Sequence, residues 1–189
     1  MADINMSPKF AAPTATGADL PAGAGTSAPP VWDIIELLFF AYRDFVGDPD
    51  EVLSKLAFGR AHHRVLHFVN RMPGLTVAEL LDVLKITKQS LARVLKQLID
   101  TGHIIQVQGP RDRRQRELYP TAKGRALALA LARPQSRRIH DALHGASAEH
   151  RTAIERFLKA MVNPELRAQI DNLPADGAGK IAGRGHGDE

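Results

Sequence analysis

There is no cysteine among the 189 residues. Disulfide staples, thiolate metal sites, a cysteine nucleophile and thiol-based oxidant sensing are excluded together. No run of about 18 apolar residues occurs, so no transmembrane helix is expected. The N-terminus lacks a basic segment followed by an apolar stretch, so no signal peptide is read and a cytoplasmic location is expected. A phosphate-cradling glycine loop, a serine elbow and a metal-plus-base motif are also missing. No catalytic residue, metal or cofactor is therefore assigned, and the chain is not read as an enzyme.

What is present is unevenly placed. Residues 60–125 hold 13 Lys/Arg against 5 Asp/Glu, a net of +8, so the whole-chain charge of +4 leaves −4 for the remainder. A basic middle on an acidic remainder points to a localised surface for a polyanion. The length fits one domain with tails. Residues 1–29 are rich in Ala, Gly, Pro, Thr and Ser, as is the stretch 174–189. Both offer too few large apolar groups to offset ordering entropy and are expected to be disordered tails, bounding a domain at 30–173.

Between the tails the pattern is mainly helical. VWDIIELLFFAYRDFV (31–46) is apolar on nearly every side. Trp32, Ile35, Phe39, Tyr42 and Phe45 can line one face, and Ile34, Leu37, Leu38 and Phe40 need a second. The second surface is either another subunit or the centre of a monomeric core. Asp48-Pro-Asp-Glu51 is a helix start, with Asp48 as cap and Pro49 in the first turn, and Gly59 stops that short helix near Ala57. A helix follows over Arg60–Arg71, ended by Pro73-Gly74. Thr76-x-x-Glu79 is a capping box opening a helix with Val77, Leu80, Leu81 and Leu84 inward. Thr87 caps the next, Lys88 to about Thr101, where Leu91, Val94, Leu95 and Leu98 follow the spacing of a buried face, and Gly102 suits its C-terminal stop. His103–Gln108 and Gln115–Tyr119 form a β-hairpin. Thr121 caps a long helix towards His144 that Pro134 should kink or break. Ser147 caps a last helix to Val162, and a further piece after Asn163-Pro164 runs to about Leu173.

Two helices with a tight link and then a hairpin define a winged helix-turn-helix, a means of holding duplex DNA. The major groove admits one α-helix, read mainly by its N-terminal residues. Thr87, Lys88, Gln89 and Ser90 place short polar groups and free backbone N–H groups at such a terminus, and Thr76 does the same for the preceding helix. Gln89 can pair with an adenine edge, Arg93 can reach guanine or phosphate, and Ala92 permits close approach. Lys96 and Gln97 lie further along and suit the backbone. The hairpin tip carries Arg111, Arg113, Arg114 and Arg116, one of which can enter the minor groove. Asp112 fits as an internal partner fixing an arginine fork.

Residues 60–124 resemble the core of the MarR family of winged-helix regulators. The resemblance rests on Arg64-Val65-Leu66, Leu75-Thr76-x-x-Glu79-Leu80, Arg93, Leu98-x-x-x-Gly102, and Asp112-x-Arg114 followed by Thr121-x-x-Gly124. FFAYRDF, GRAHHRVLHFVNR and ITKQSLARVLKQLI are similar, more closely, to a PetP-like branch of that family. The resemblance implies a homodimer on a pseudo-palindromic duplex site, with a DNA-binding lobe at 60–124 and dimerisation helices at 31–57 and 125–173. It also implies that Asp112 positions Arg114 for the minor groove, and that repression is the commoner mode. One departure is Pro120, where the pattern is usually aliphatic. Lacking an N–H, it should end the second wing strand at Tyr119.

Family members commonly take small, often aromatic anions between the dimer helices and the DNA lobe. Phe39, Tyr42, Arg43, His62 and His63 are the candidates for such an effector. The alternative is that Phe39 and Tyr42 are dimer core and Arg43 makes a structural ion pair. His63 with His67, and His140 with His144, have the i, i+4 spacing of a zinc-binding face. The alternative there is ordinary surface or interface histidines. A winged-helix protein–protein module without sequence-specific DNA readout is the competing function.

Overall fold

The computed structural model describes residues 29–109 and 114–171. Helices dominate, in the order α1 (Trp32–Gly47), α2 (Asp50–Ser54), α3 (Arg60–Arg71), α4 (Val77–Leu84), α5 (Lys88–Asp100), α6 (Ala122–Ala142), α7 (Ala148–Met161) and α8 (Pro164–Asp171). A small antiparallel sheet of β1 (Leu75–Thr76), β2 (Ile104–Gln108) and β3 (Arg116–Pro120) has the order β1-β3-β2. The expected boundaries outside 29–109 and 114–171, including both tails, lie beyond the described residues.

Local chemistry accounts for most of the boundaries. Thr76 accepts from the Glu79 amide while the Glu79 carboxylate accepts from the Thr76 amide, a complete capping box for α4. Thr87, Thr121 and Ser147 cap α5, α6 and α7 by accepting from the amide three residues on. Gly102 takes φ +73 after α5, a left-handed stop that glycine accommodates without strain.

Four details differ from the sequence reading. The hairpin gains a third strand, β1, whose two residues pair with Leu118 and Glu117. A two-residue strand has no periodicity to read. β3 continues through Pro120, paired with Ile104. Here the Thr121 amide donates to the His103 carbonyl, 3.0 Å, so Ile104 and Pro120 form a non-hydrogen-bonded pair. The missing proline N–H is therefore not needed by β2. Of the kink or break expected at Pro134, the break does not occur: α6 runs through it as one helix. Finally, Asp48 does not cap α2. Pro49 takes that position without a side-chain bond, and the Asp48 carboxylate receives both Nε and Nη2 of Arg138 on α6 at 2.6 and 2.7 Å. Beside it, the Gln135 amide donates to the Phe45 carbonyl. These bonds, ninety residues apart in sequence, fasten the end of α1 to α6. The guanidinium of Arg138 holds the Asp48 carboxyl below the usual carboxylate range.

The buried apolar core lies wholly between Leu53 and Leu131 and draws on α2 to α6 and the sheet. Val65, Leu66 and Val69 of α3 sit at its centre, against Leu80 and Leu84, Leu91 to Leu98, Ile104, Leu118 and Leu131. α1 and α7 bury no residue in the single chain. Phe39 is 71% exposed, Leu37 64% and Leu158 52%.

Candidate nucleic-acid interface

The helix-turn-helix is held from behind by α3. α4 ends at Lys85, which adopts a left-handed φ of +50. Arg64 of α3 donates from Nη2 to the Leu84 carbonyl at 2.9 Å, which serves an acceptor left over at the end of α4. The chain then re-enters a helix at Thr87, whose Oγ1 accepts from the Ser90 amide and donates to Ser90 Oγ. α5 buries Leu91, Val94, Leu95 and Leu98. That fixes the roll of the helix. Lys88, Gln89, Ser90, Ala92, Arg93 and Lys96 are left exposed together on the opposite side.

Two grooves lie on the helix-turn-helix and the wing. One of about 620 Å³ runs between α4, α5 and β2, with Val77, Leu81, Leu91, Leu95 and Ile99 among its lining and Lys88 and Lys96 beside them. The other, about 270 Å³, lies between Thr76–Ala78 and Arg114–Arg116. It brings the base of the wing to the start of α4, where helix amides and the positive end of the dipole favour an anion. Arg114 and Arg116 are exposed there. Arg111, Asp112 and Arg113, including the proposed Asp112 fork, lie outside the described residues. Lys96 pairs with Asp100 one turn on, an exposed contact of small energetic weight.

Other sequence-selected residues are placed elsewhere. The Thr76 hydroxyl donates to the Glu79 carboxylate at 2.7 Å and is taken up by its own cap. Gln97 is half-buried on the flank of α5. Its Oε1 meets His62 Nε2 at 2.8 Å and its Nε2 donates to the Ala57 carbonyl. Gln97, one turn after Arg93, thus has its amide engaged by His62 and the Ala57 carbonyl. His62 sits at the start of α3, where its Nδ1 accepts from the Gly59 amide at 3.1 Å and its ring stacks on Phe58 with centroids 4.7 Å apart.

Neither groove above is lined by the remaining effector candidates. Phe39 and Tyr42 are exposed on α1. Arg43 donates to Asp44 at 2.8 Å and lies over the Phe40 ring. His63 lies on α3, half-buried and edge-on to His67; burial pushes the His63 imidazole below its ordinary range, against the pull of Asp50. Among the described residues no group of three or more His, Asp or Glu side chains is placed to hold a metal ion. Sequence reasoning missed Arg64 as the support of the turn, because nothing local marks a side chain that acts on a carbonyl twenty residues away.

Comparison with known proteins agrees with this geometry. The family model described as MarR family matches residues 58–115. The HTH-type transcriptional regulator PetP of Rhodobacter capsulatus is 47% identical over 139 residues, covering 74% of this chain and 84% of its own length. Among solved structures, the transcriptional regulator SlyA aligns with a TM-score of 0.59 at 19% identity, over 74% of this chain and 97% of that one. A MarR transcriptional regulator from Methanosarcina mazei aligns with a TM-score of 0.58 at 22% identity, over 71% and 90%. The two structures establish the shared fold, and the nearly half-identical PetP establishes kinship: the chain belongs to the MarR family of winged helix-turn-helix transcriptional regulators.

Proposed function

We propose that this protein acts as a homodimeric, sequence-specific DNA-binding regulator, with α5 of each subunit in the major groove and the wing arginines at the flanking minor groove. The observation that carries this reading is the exposed face of α5. Lys88, Gln89, Ser90, Ala92 and Arg93 gather around a capped N-terminus while four aliphatic side chains anchor the opposite face. Small and polar groups beside cations are what base-edge readout requires. Dimerisation is supported by the apolar side chains of α1 and α7 left exposed in one chain, Trp32, Leu37 and Phe40 with Phe157, Leu158 and Met161 among them. In this reading residues 30–173 form the regulatory domain, 60–124 the DNA lobe, and 31–57 with 125–173 the dimerisation helices. Recognition helices would then stand roughly 34 Å apart, one turn of the duplex.

Repression relieved by a small aromatic or anionic effector belongs to the same reading. Phe39 and Tyr42 offer stacking surface and Arg43 a cation, for a site completed across the dimer. The test is selection of bound fragments from genomic DNA, followed by titration of the selected duplex. A palindromic site whose affinity falls steeply with salt is the expected result. Binding that is indifferent to sequence refutes specific regulation. Gln89→Ala and Arg93→Ala should each remove most of the preference for the selected site over random duplex.

A further inference from the structure

We propose that His62 and Gln97 are positioning residues for DNA recognition, acting through a relay of hydrogen bonds that fixes the recognition helix against the start of α3. The proposal rests on the assignment of α5 to the major groove. The relay is read from donor and acceptor chemistry. The Gly59 amide donates to His62 Nδ1, so that nitrogen carries no proton. With Nδ1 accepting, Nε2 is the ring's donor, to Gln97 Oε1 at 2.8 Å. That orients the Gln97 amide with its nitrogen towards the Ala57 carbonyl, the acceptor found there. Two short links, Gly59 to His62 at 3.1 Å and His62 to Gln97 at 2.8 Å, thus run in one direction, and a longer contact of 3.5 Å from Gln97 Nε2 continues it to Ala57.

The surroundings make this relay a constraint on orientation. Stacking on Phe58 fixes the plane of the imidazole, and Phe58 is itself buried with the edge of His103 on it. Ala57 holds a left-handed φ of +54, so its carbonyl is set by the backbone. Gln97 is one turn after Arg93 on α5, and the Thr87 cap is at the other end of the helix. Aliphatic contacts at Leu91, Val94, Leu95 and Leu98 set the depth and roll of the helix, and the relay adds directional hydrogen bonds on its flank. Arg64 ties down the approach to α5 at Leu84, and the relay ties down its third turn. Gln89 and Arg93 lie between these two ties, both made by α3.

The experiment compares the affinity of full-length protein for its selected duplex and for random duplex in four variants and one control. His62→Gln keeps the bond back to Gly59, because glutamine at the third helical position can reach the cap amide, but it cannot supply the imidazole link. Gln97→Met keeps bulk and removes both hydrogen bonds. Each should lower the preference for the selected site by roughly 3- to 10-fold, the range of one net hydrogen bond, with random-duplex affinity unchanged. The double variant should lose no more than either single one. Gln97→Glu retains the acceptor for His62 but cannot donate to the Ala57 carbonyl, and should give a ratio between those of the wild type and Gln97→Met. If Gln97→Met weakens both duplexes in the same proportion, Gln97 is a direct backbone contact and the proposal is overturned. Losses that multiply in the double variant, or an unchanged ratio in both single variants, also overturn it. Gln89→Ala is the control. If it leaves the preference intact, α5 is not the reading element and both proposals fall. If it abolishes the preference while His62→Gln and Gln97→Met retain it, only the positioning role is lost.

Discussion

Gly124→Ala should destabilise this protein, against the general rule for helices. Gly124 lies in the first turn of α6, where alanine is ordinarily favoured over glycine by about 1 kcal/mol. A Cβ added there would stand 2.0 Å from the His103 carbonyl oxygen and 3.0 Å from its carbon. Both are backbone atoms, so no side chain can swing aside. The His103 carbonyl also accepts the Thr121 amide at 3.0 Å, and Thr121 Oγ1 donates to the Gly102 carbonyl at 2.7 Å while capping Gly124. Moving α6 away to admit the methyl loosens these bonds at about 1 kcal/mol each. Overpacking adds about 1–3 kcal/mol. Set against the propensity gain, the net loss is about 2–4 kcal/mol, a fall of roughly 4–16 °C in melting temperature for a domain of this size. Gly102→Ala is the comparison. Its Cβ would meet nothing within 4 Å, so only the left-handed φ of +73 is penalised, at about 1–2 kcal/mol. Thermal denaturation of the two variants decides the matter. A Gly124→Ala protein as stable as the wild type, or more so, would refute the close-approach argument.

Lys85→Gly should raise the melting temperature by roughly 2–4 °C, because it removes about 1 kcal/mol of left-handed strain at φ +50; calorimetry showing a lower value would mean that the lysine side chain makes a contact worth more than the strain. His103 is buried, 3% exposed, with Nδ1 2.9 Å from Thr101 Oγ1, and burial followed by nearby Lys123 pushes its imidazole below the ordinary range. Its folded value lies below its unfolded one, so its contribution is full above about pH 6.5 and is lost as pH falls through the depressed folded value. Denaturant titrations across mildly acidic pH should therefore show declining stability, with a shallower decline in His103→Gln. Asp48→Asn should speed amide exchange around Phe45–Asp48 while leaving the core amides protected, because the Arg138 clamp holds the end of α1 outside the main core. Equal acceleration in α3 would show that the clamp stabilises the whole lobe instead.

Elements with local signals could be read without coordinates. Caps at Thr76, Thr87, Thr121 and Ser147 act within three residues, and the Leu91–Leu98 spacing is a property of one helix, so α4, α5, α6 and α7 were legible from residue order alone. So was the exposed face of α5, since burying four aliphatic positions leaves the others outward. Whatever depends on residues far apart in the chain needed the packed molecule. Packing turned Gln97 inward to His62, thirty-five positions away, although helical spacing set it beside the groove-facing side chains. It drew Asp48 from its expected cap to Arg138, because a bidentate guanidinium offers the carboxylate more than the first amides of a five-residue helix. It let Pro120 remain in β3, since strand register, not residue type, decides which amides the ladder needs. And it gave Gly124 its reason, a carbonyl 2.0 Å from where any Cβ would stand.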